Sequence, residues 1–215
     1  MRSESLDNAN IRLYQELALI KASLDIYKLI GLNASLINAN PKIKSYFGTV
    51  SNQSLSTIVL GLEKIFERES TDDMRLCSVR GILRLAKESG HPNVSSNSFA
   101  TKYGVNPTAN WVDDIDSVLA KQRPVFRKHL AATSKYRNER LAHSAQVVSD
   151  NYQLPSIAAF EKLLEFVDDF RTFINSEFLG VASGAILDYN VTCVSFLNLL
   201  RELGIREPIS DFTGS

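Results

Sequence analysis

Leu13-Tyr14-Gln15-Glu16-Leu17-Ala18-Leu19-Ile20-Lys21-Ala22-Ser23-Leu24-Asp25-Ile26-Tyr27 is the stretch that decides the fold class. Leu13, Leu17, Ile20, Leu24 and Tyr27 recur at steps of three and four, which puts them on one stripe of a helix turning about 100° per residue. Asp7 or Asn8 stands where an N-terminal cap is expected, and Gly31 stands where such a helix stops. The segment predicts one long amphipathic helix.

The same period recurs downstream. After the turn-rich Asn38-Ala39-Asn40-Pro41, a short helical piece is expected near Ile43 to Phe47, and Leu55, Ile58, Leu62 and Ile65 mark a second main helix to about Arg68. Ser70 to Asp73 gives a capping signal for a third, with Leu76, Val79, Leu83 and Ala86 as its stripe and Gly90-His91-Pro92 as its stop. Residues 91–107 are rich in Ser, Asn, Gly and Pro and read as a long internal loop with a helical turn around Phe99. Trp111, Ile115, Val118 and Leu119 suggest a helix interrupted at Pro124, which suits the first position of the next one. Ser149 to Pro155 is a break. Phe160, Leu163, Val167, Phe170 and Ile174 then define a helix reaching Leu179, and a last helix runs from about Asn190 to Leu203, stopped by Gly204.

No segment alternates apolar and polar residues as a half-buried strand does. The expectation is a single all-α domain over residues 1–215, an up-and-down bundle of four to five main helices with short accessory helices, and 205–215 as a C-terminal tail. With 44% hydrophobic and 22% charged residues, the composition is that of a soluble globular chain, long enough to build a core without staples. No apolar run reaches membrane-spanning length, the first seven residues hold no apolar signal core, and two cysteines make no disulfide framework. A cytoplasmic setting without membrane association is expected.

Formal net charge is zero, so indiscriminate coating of nucleic acid is excluded. The distribution is uneven. Between Lys121 and His143 stand Lys121, Arg123, Arg127, Lys128, Lys135, Arg137 and Arg140 against the single acid Glu139. Such a stripe is either a solvated helix face balanced by acids elsewhere in the fold or a surface for an anionic partner.

Within it, Tyr136-Arg137-Asn138-Glu139-Arg140-Leu141-Ala142-His143-Ser144 brings a phosphate-binding cation, an amide and a titratable imidazole close together. An Arg can hold a phosphate bidentately, and a His titrating near neutrality can take a proton from a ribose 2′-hydroxyl or give one to a leaving oxygen. Spacing alone does not select the pair. Arg84 and His91, Arg123 and His129, and Arg137 and His143 are all separated by five or six residues. Only Arg137 is followed by an amide; Arg123 is followed by Pro124, and Arg84 lies in a helix that should end before His91. On a regular helix, six steps carry His143 about 120° round and ~9 Å along from Arg137, so one phosphate is gripped only if the helix bends or a second copy completes the site.

The string Lys135-Tyr136-Arg137-Asn138-Glu139-Arg140-Leu141-Ala142-His143-Ser144, late in an all-α chain, resembles the signature of the HEPN superfamily, and most of all its AbiU-type abortive-infection branch. The resemblance is specific over these ten residues and topological over the rest. It implies a metal-independent endoribonuclease, in antiviral defence or as a toxin, that leaves 2′,3′-cyclic phosphate and 5′-hydroxyl ends. Arg137 would orient the phosphate, Asn138 would hydrogen-bond the phosphate or the imidazole, and His143 would be the acid/base. Lys135, Arg127, Lys128 and Arg140 are expected RNA contacts, Arg140 sharing a helical face with His143. A homodimer with a composite active site is implied, and an antitoxin or another defence-system partner fits the same setting.

No metal or cofactor is expected, because there is no Gly-rich phosphate loop, no His-Glu-x-x-His and no zinc spacing, and the adjacent pairs Asp113-Asp114 and Asp168-Asp169 diverge on a helix. Three other readings stay open. The motif can serve structure alone, His143 capping a helix end and Arg137 pairing with Asp168 or Asp169. The chain can be a non-catalytic helical module that binds RNA, a nucleotide or a partner protein. It can also be a purely structural dimerisation bundle.

Overall fold

The computed structural model describes residues 5–66, 78–89, 98–104, 155–181 and 190–203, together with Asp113, Ile115, Ser117, Ala131 and Lys135. Among the described residues every regular element is helical: α1 (Leu6–Leu32), α2 (Ala34–Ala39), α3 (Pro41–Ile65), α4 (Val79–Ser89), α5 (Ser98–Tyr103), α6 (Ile157–Ile174) continued by a π-helical turn (Asn175–Leu179), and α7 (Asn190–Glu202). The fold is all-α, as the periodicity predicts.

Helix α1 is the axle of the bundle, packing against α3, α4, α6 and α7. Its apolar stripe is the predicted one, with Leu13, Leu17, Ile20 and Leu24 fully buried. The ends differ from expectation. Ser5, not Asp7 or Asn8, caps the helix, its hydroxyl accepting from the Asn8 amide at 3.3 Å. Leu6 is buried, so the apolar face begins one turn earlier than the periodic run suggests. Gly31 lies inside the helix, which ends at Asn33, whose backbone N–H reaches the carbonyls of Leu29 and Gly31.

Two antiparallel seams orient the neighbours. Ile20 meets Gly61 and Glu16 pairs with Lys64, so α3 runs opposite to α1. Asn10 meets Asn175, Arg171 covers Tyr14, and Lys28 pairs with Glu161, so α6 also runs opposite to α1. The predicted short piece at Ile43 to Phe47 and the helix beginning near Leu55 are one continuous α3, started by Pro41 at a first-turn position and by the Asn40 side chain accepting from the Lys42 amide at 3.1 Å.

Between the seams lies the main core. Phe160, Phe166, Phe170 and Phe173 of α6 are fully buried, each stabilising the fold by on the order of 1.5–3 kcal/mol. Phe99 of α5 packs among Phe166, Phe170 and Phe173, with ring centroids 6.0, 6.2 and 5.2 Å away. The helical turn expected around Phe99 is thus a short helix pinned by its aromatic. Ile115, also helical, is buried in the same core. A second, smaller cluster joins Ile30 of α1, Ile37 of α2, Phe47 of α3 and Leu200 of α7, with Ile26, Ile43, Val50 and Phe196 at its edge.

The predicted break at Pro155 is present, and Ser156 caps α6 by accepting from the Ala159 amide at 3.2 Å. The last turn before Leu179 is π-helical, closed at Gly180 with φ +62°, where the Val181 amide donates to the Asn175 carbonyl at 3.1 Å. The capping signal at Ser70 to Asp73, the stop at Gly90-His91-Pro92 and Pro124 lie outside the described residues. Ser78 caps α4 as described, its hydroxyl accepting from Gly81 N–H at 3.0 Å.

Candidate functional site

Lys135 lies two residues before Arg137, is helical and is exposed. Ala131, one turn earlier, is helical and exposed as well, so this turn of the basic stripe presents a solvent-facing side. Arg137, Asn138 and His143 lie outside the described residues, as do Arg140, Arg127, Lys128 and the other two histidines, His91 and His129.

The acids proposed as structural partners for Arg137 do have defined surroundings. Asp168 accepts from Arg171 Nε at 3.3 Å. Asp169 accepts from Lys102 Nζ at 2.6 Å and from the Tyr103 hydroxyl at 2.8 Å. Glu165, one turn before Asp169, takes the same ammonium at 2.5 Å, and Glu161 takes Lys28 at 2.5 Å. Every acid on this face of α6 therefore faces a cation supplied by α1, α5 or α6.

These contacts fix proton affinities. The hydrogen bond to Asp169, then the one to Glu165, hold the Lys102 ammonium well above the ordinary lysine range. Burial, reinforced by the bond to Asp169, pushes the Tyr103 phenol up. Burial also pushes the Asp168 carboxyl up, against the pull of Arg171. Lys102 and Tyr103 thus keep their protons at neutral pH and are unsuited to exchanging them there; proton transfer near neutrality needs a group such as imidazole.

A polar seam unforeseen in the sequence joins α1 to the end of α6. Asn10 Nδ2 donates to Asn175 Oδ1 at 2.6 Å, both residues being buried. One turn along each helix, the buried Arg171 guanidinium lies 5.1 Å from the centroid of the Tyr14 ring. A desolvated guanidinium against an aromatic face gains about 2 kcal/mol and carries an ion pair on its other side. Arg171 is thus committed to the interior, which suits holding helices in register rather than gripping substrate. The signal available in the sequence is the i, i+4 spacing of Asn10 with Tyr14 and of Arg171 with Asn175, but only folding brings the two pairs together.

Among the described residues no three His, Cys, Asp or Glu side chains gather as a metal site. No described helix is long and apolar enough to cross a membrane. No curated protein and no solved structure matches the chain. The HEPN family described as AbiU2 matches residues 3–192, a span that contains α1 to α6 and the whole Arg137 to His143 segment. The chain therefore belongs to the AbiU2 family of HEPN proteins.

Proposed function

We propose that this chain is a metal-independent endoribonuclease of HEPN type, acting in the cytoplasm in abortive-infection defence or as a toxin. The observation that carries the reading is the Arg137-Asn138 pair followed by His143, set in a basic stripe of a chain that belongs to the AbiU2 family. Arg137 holds the non-bridging oxygens of the scissile phosphate, and Asn138 orients the phosphate or the imidazole. Neutral His143 takes the proton of the 2′-hydroxyl, O2′ attacks phosphorus, and the bond from phosphorus to O5′ breaks. The products are a 2′,3′-cyclic phosphate and a 5′-hydroxyl, the leaving oxygen being protonated by an imidazolium. In a homodimer that imidazolium is the second copy's His143, which reconciles the chemistry with the offset between Arg137 and His143 on a regular helix. Lys135, Arg127, Lys128 and Arg140 hold the RNA backbone, and the setting accommodates a neutralising antitoxin.

The test incubates wild type, His143→Ala and Arg137→Ala with mixed cellular RNA in EDTA and identifies the fragment ends. Cyclic-phosphate ends from wild type, lost in both variants at unchanged helical content, are the expected result. Undiminished cleavage by both variants refutes the assignment. Salt-sensitive binding with no new RNA ends instead identifies a non-catalytic binding module of the same fold.

A further inference from the structure

We propose that α7 is an exchangeable arm, and that the groove holding it is a docking site for the α7 of a second copy of this chain. The groove is the smaller apolar cluster on α1, α2 and α3, centred on Ile30, Ile37 and Phe47. Six residues carry Ile30 about 120° round α1 from Leu24, so the groove opens on a different face from the main core.

The structure shows what fits this groove. Phe196, Leu199, Leu200 and Leu203 follow the i, i+3, i+4, i+7 spacing of a helix that lays an apolar face into a groove. Leu200 is buried and the Phe196 ring meets Phe47 edge-on, their centroids 5.8 Å apart. Leu199 and Leu203 remain 37% and 41% exposed, so the four-anchor face is only partly seated. A helix of 13 residues is marginal by itself in water, which makes the groove the main support of α7.

The boundaries of the family match separate plug from socket. All of α1, α2 and α3 lies within residues 3–192, whereas Phe196 and Leu200 lie beyond it. The groove belongs to the family module, and its plug is an extension. A second copy carries the same plug, and the groove cannot tell the two apart. What favours the copy's own arm is its tether, residues 182–189, whose contour length is at most roughly 29 Å and which keeps the arm at high local concentration. At high protein concentration, exchange gives a two-fold dimer that needs no contact absent from the single chain.

The experiment mixes two full-length variants. Leu200→Glu disables the arm and keeps the groove, while Ile37→Glu disables the groove and keeps the arm. Each is expected to be monomeric alone, and concentrating them together should yield a one-to-one heterodimer by native mass spectrometry. Two variants of unchanged helical content that never pair overturn the proposal. If Ile37→Glu fails to fold, a fluorescein-labelled peptide of residues 190–203 is titrated into full-length Leu200→Glu. Binding at least tenfold tighter than to wild type supports the proposal; equal binding, no binding, or loss of the helical fold in Leu200→Glu overturns it. Arg137→Ala should exchange arms as wild type does, so the outcome is independent of the ribonuclease reading.

Discussion

Replacing Gly61 with Ala tests the closest helix contact in the bundle. A Cβ at position 61 would stand 2.5 Å from Ile20 Cγ1 and 2.6 Å from Ile20 Cδ1. Carbon atoms in ordinary contact are about 3.5–4.0 Å apart, so Ile20 must retreat by roughly 1 Å. It has little room to do so, being fully buried among Leu17, Leu24, Ile58 and Leu62 and stiff at χ1 because it is β-branched. Overpacking of this kind costs about 1–3 kcal/mol, against about 1 kcal/mol gained by placing Ala for Gly inside a helix. The expected net effect is a loss of about 1–2 kcal/mol. Gly48 supplies the control, since it lies in the same helix, is exposed, and an added Cβ there meets nothing within 4 Å. Gly48→Ala should stabilise by about 0.5–1 kcal/mol. Denaturant unfolding measures both, and heat should separate the two melting temperatures by several degrees for a chain of this size. In an Ile20→Ala background the obstructing atoms are gone, so Gly61→Ala should turn stabilising, with a favourable coupling of about 2–3 kcal/mol in the double-mutant cycle. If Gly61→Ala stabilises wild type as Gly48→Ala does, or if the two substitutions at the seam are additive, the close approach inferred between α1 and α3 is wrong.

Two further outcomes follow from the proton-holding groups on α6. Tyr103→Phe should cost about 1 kcal/mol at neutral pH, a partly exposed hydrogen bond to a carboxylate being lost. Because the folded phenol is held above its ordinary value, Tyr103 stabilises the native state below the unfolded tyrosine range and loses that contribution as pH rises through the folded one. Ultraviolet titration should therefore show a late phenolate step in wild type that Tyr103→Phe lacks; a tyrosine complement ionising together near its ordinary value contradicts the buried bond. Asp168 has the same sign at the other end of the scale. Its raised carboxyl takes up a proton in the native state before it does so unfolded, so its contribution to stability grows as pH falls through its folded pKa towards the unfolded one. Carboxyl carbon NMR should find Asp168 titrating above ordinary aspartates, with the matching slope in stability absent from Asp168→Asn, and a normal or depressed titration would show that Arg171 outweighs burial.

The helices were legible because most have one buried face and one wet one. The stripe of α1 and the phenylalanine run of α6 announce themselves at three- and four-residue spacing. Boundaries were harder for a physical reason. Gly48 to Gln53 are exposed or half-buried, so that part of α3 carries no apolar signal even though its backbone continues unbroken. Ser5, Asp7 and Asn8 are all competent caps, and the choice among them depends on where Leu6 is buried, which is a tertiary fact. The π-helical turn after Ile174 depends on which carbonyl each amide reaches, and no residue type dictates that. Arg171 reads as a surface charge until Tyr14, far away in sequence, covers it. The site shows the opposite balance: its chemistry lies in a short run of consecutive residues, so the sequence names it.

Charge bookkeeping along α6 bears on how the basic stripe is read. If that stripe were merely a solvated face balanced within the fold, the acids at 161, 165, 168 and 169 would be natural counter-charges, four carboxylates on one helix. Each of them already faces a cation, from Lys28, Lys102 or Arg171. A neutralised carboxylate exerts a much weaker field on a second cation, and screening leaves little of it beyond about 10 Å. Seven cations against one acid between Lys121 and His143 then gain little from these α6 carboxylates. A phosphodiester chain, one negative charge per nucleotide, is the partner whose spacing and charge match a linear stripe of Lys and Arg. That balance favours a site for RNA over a structural role for Arg137.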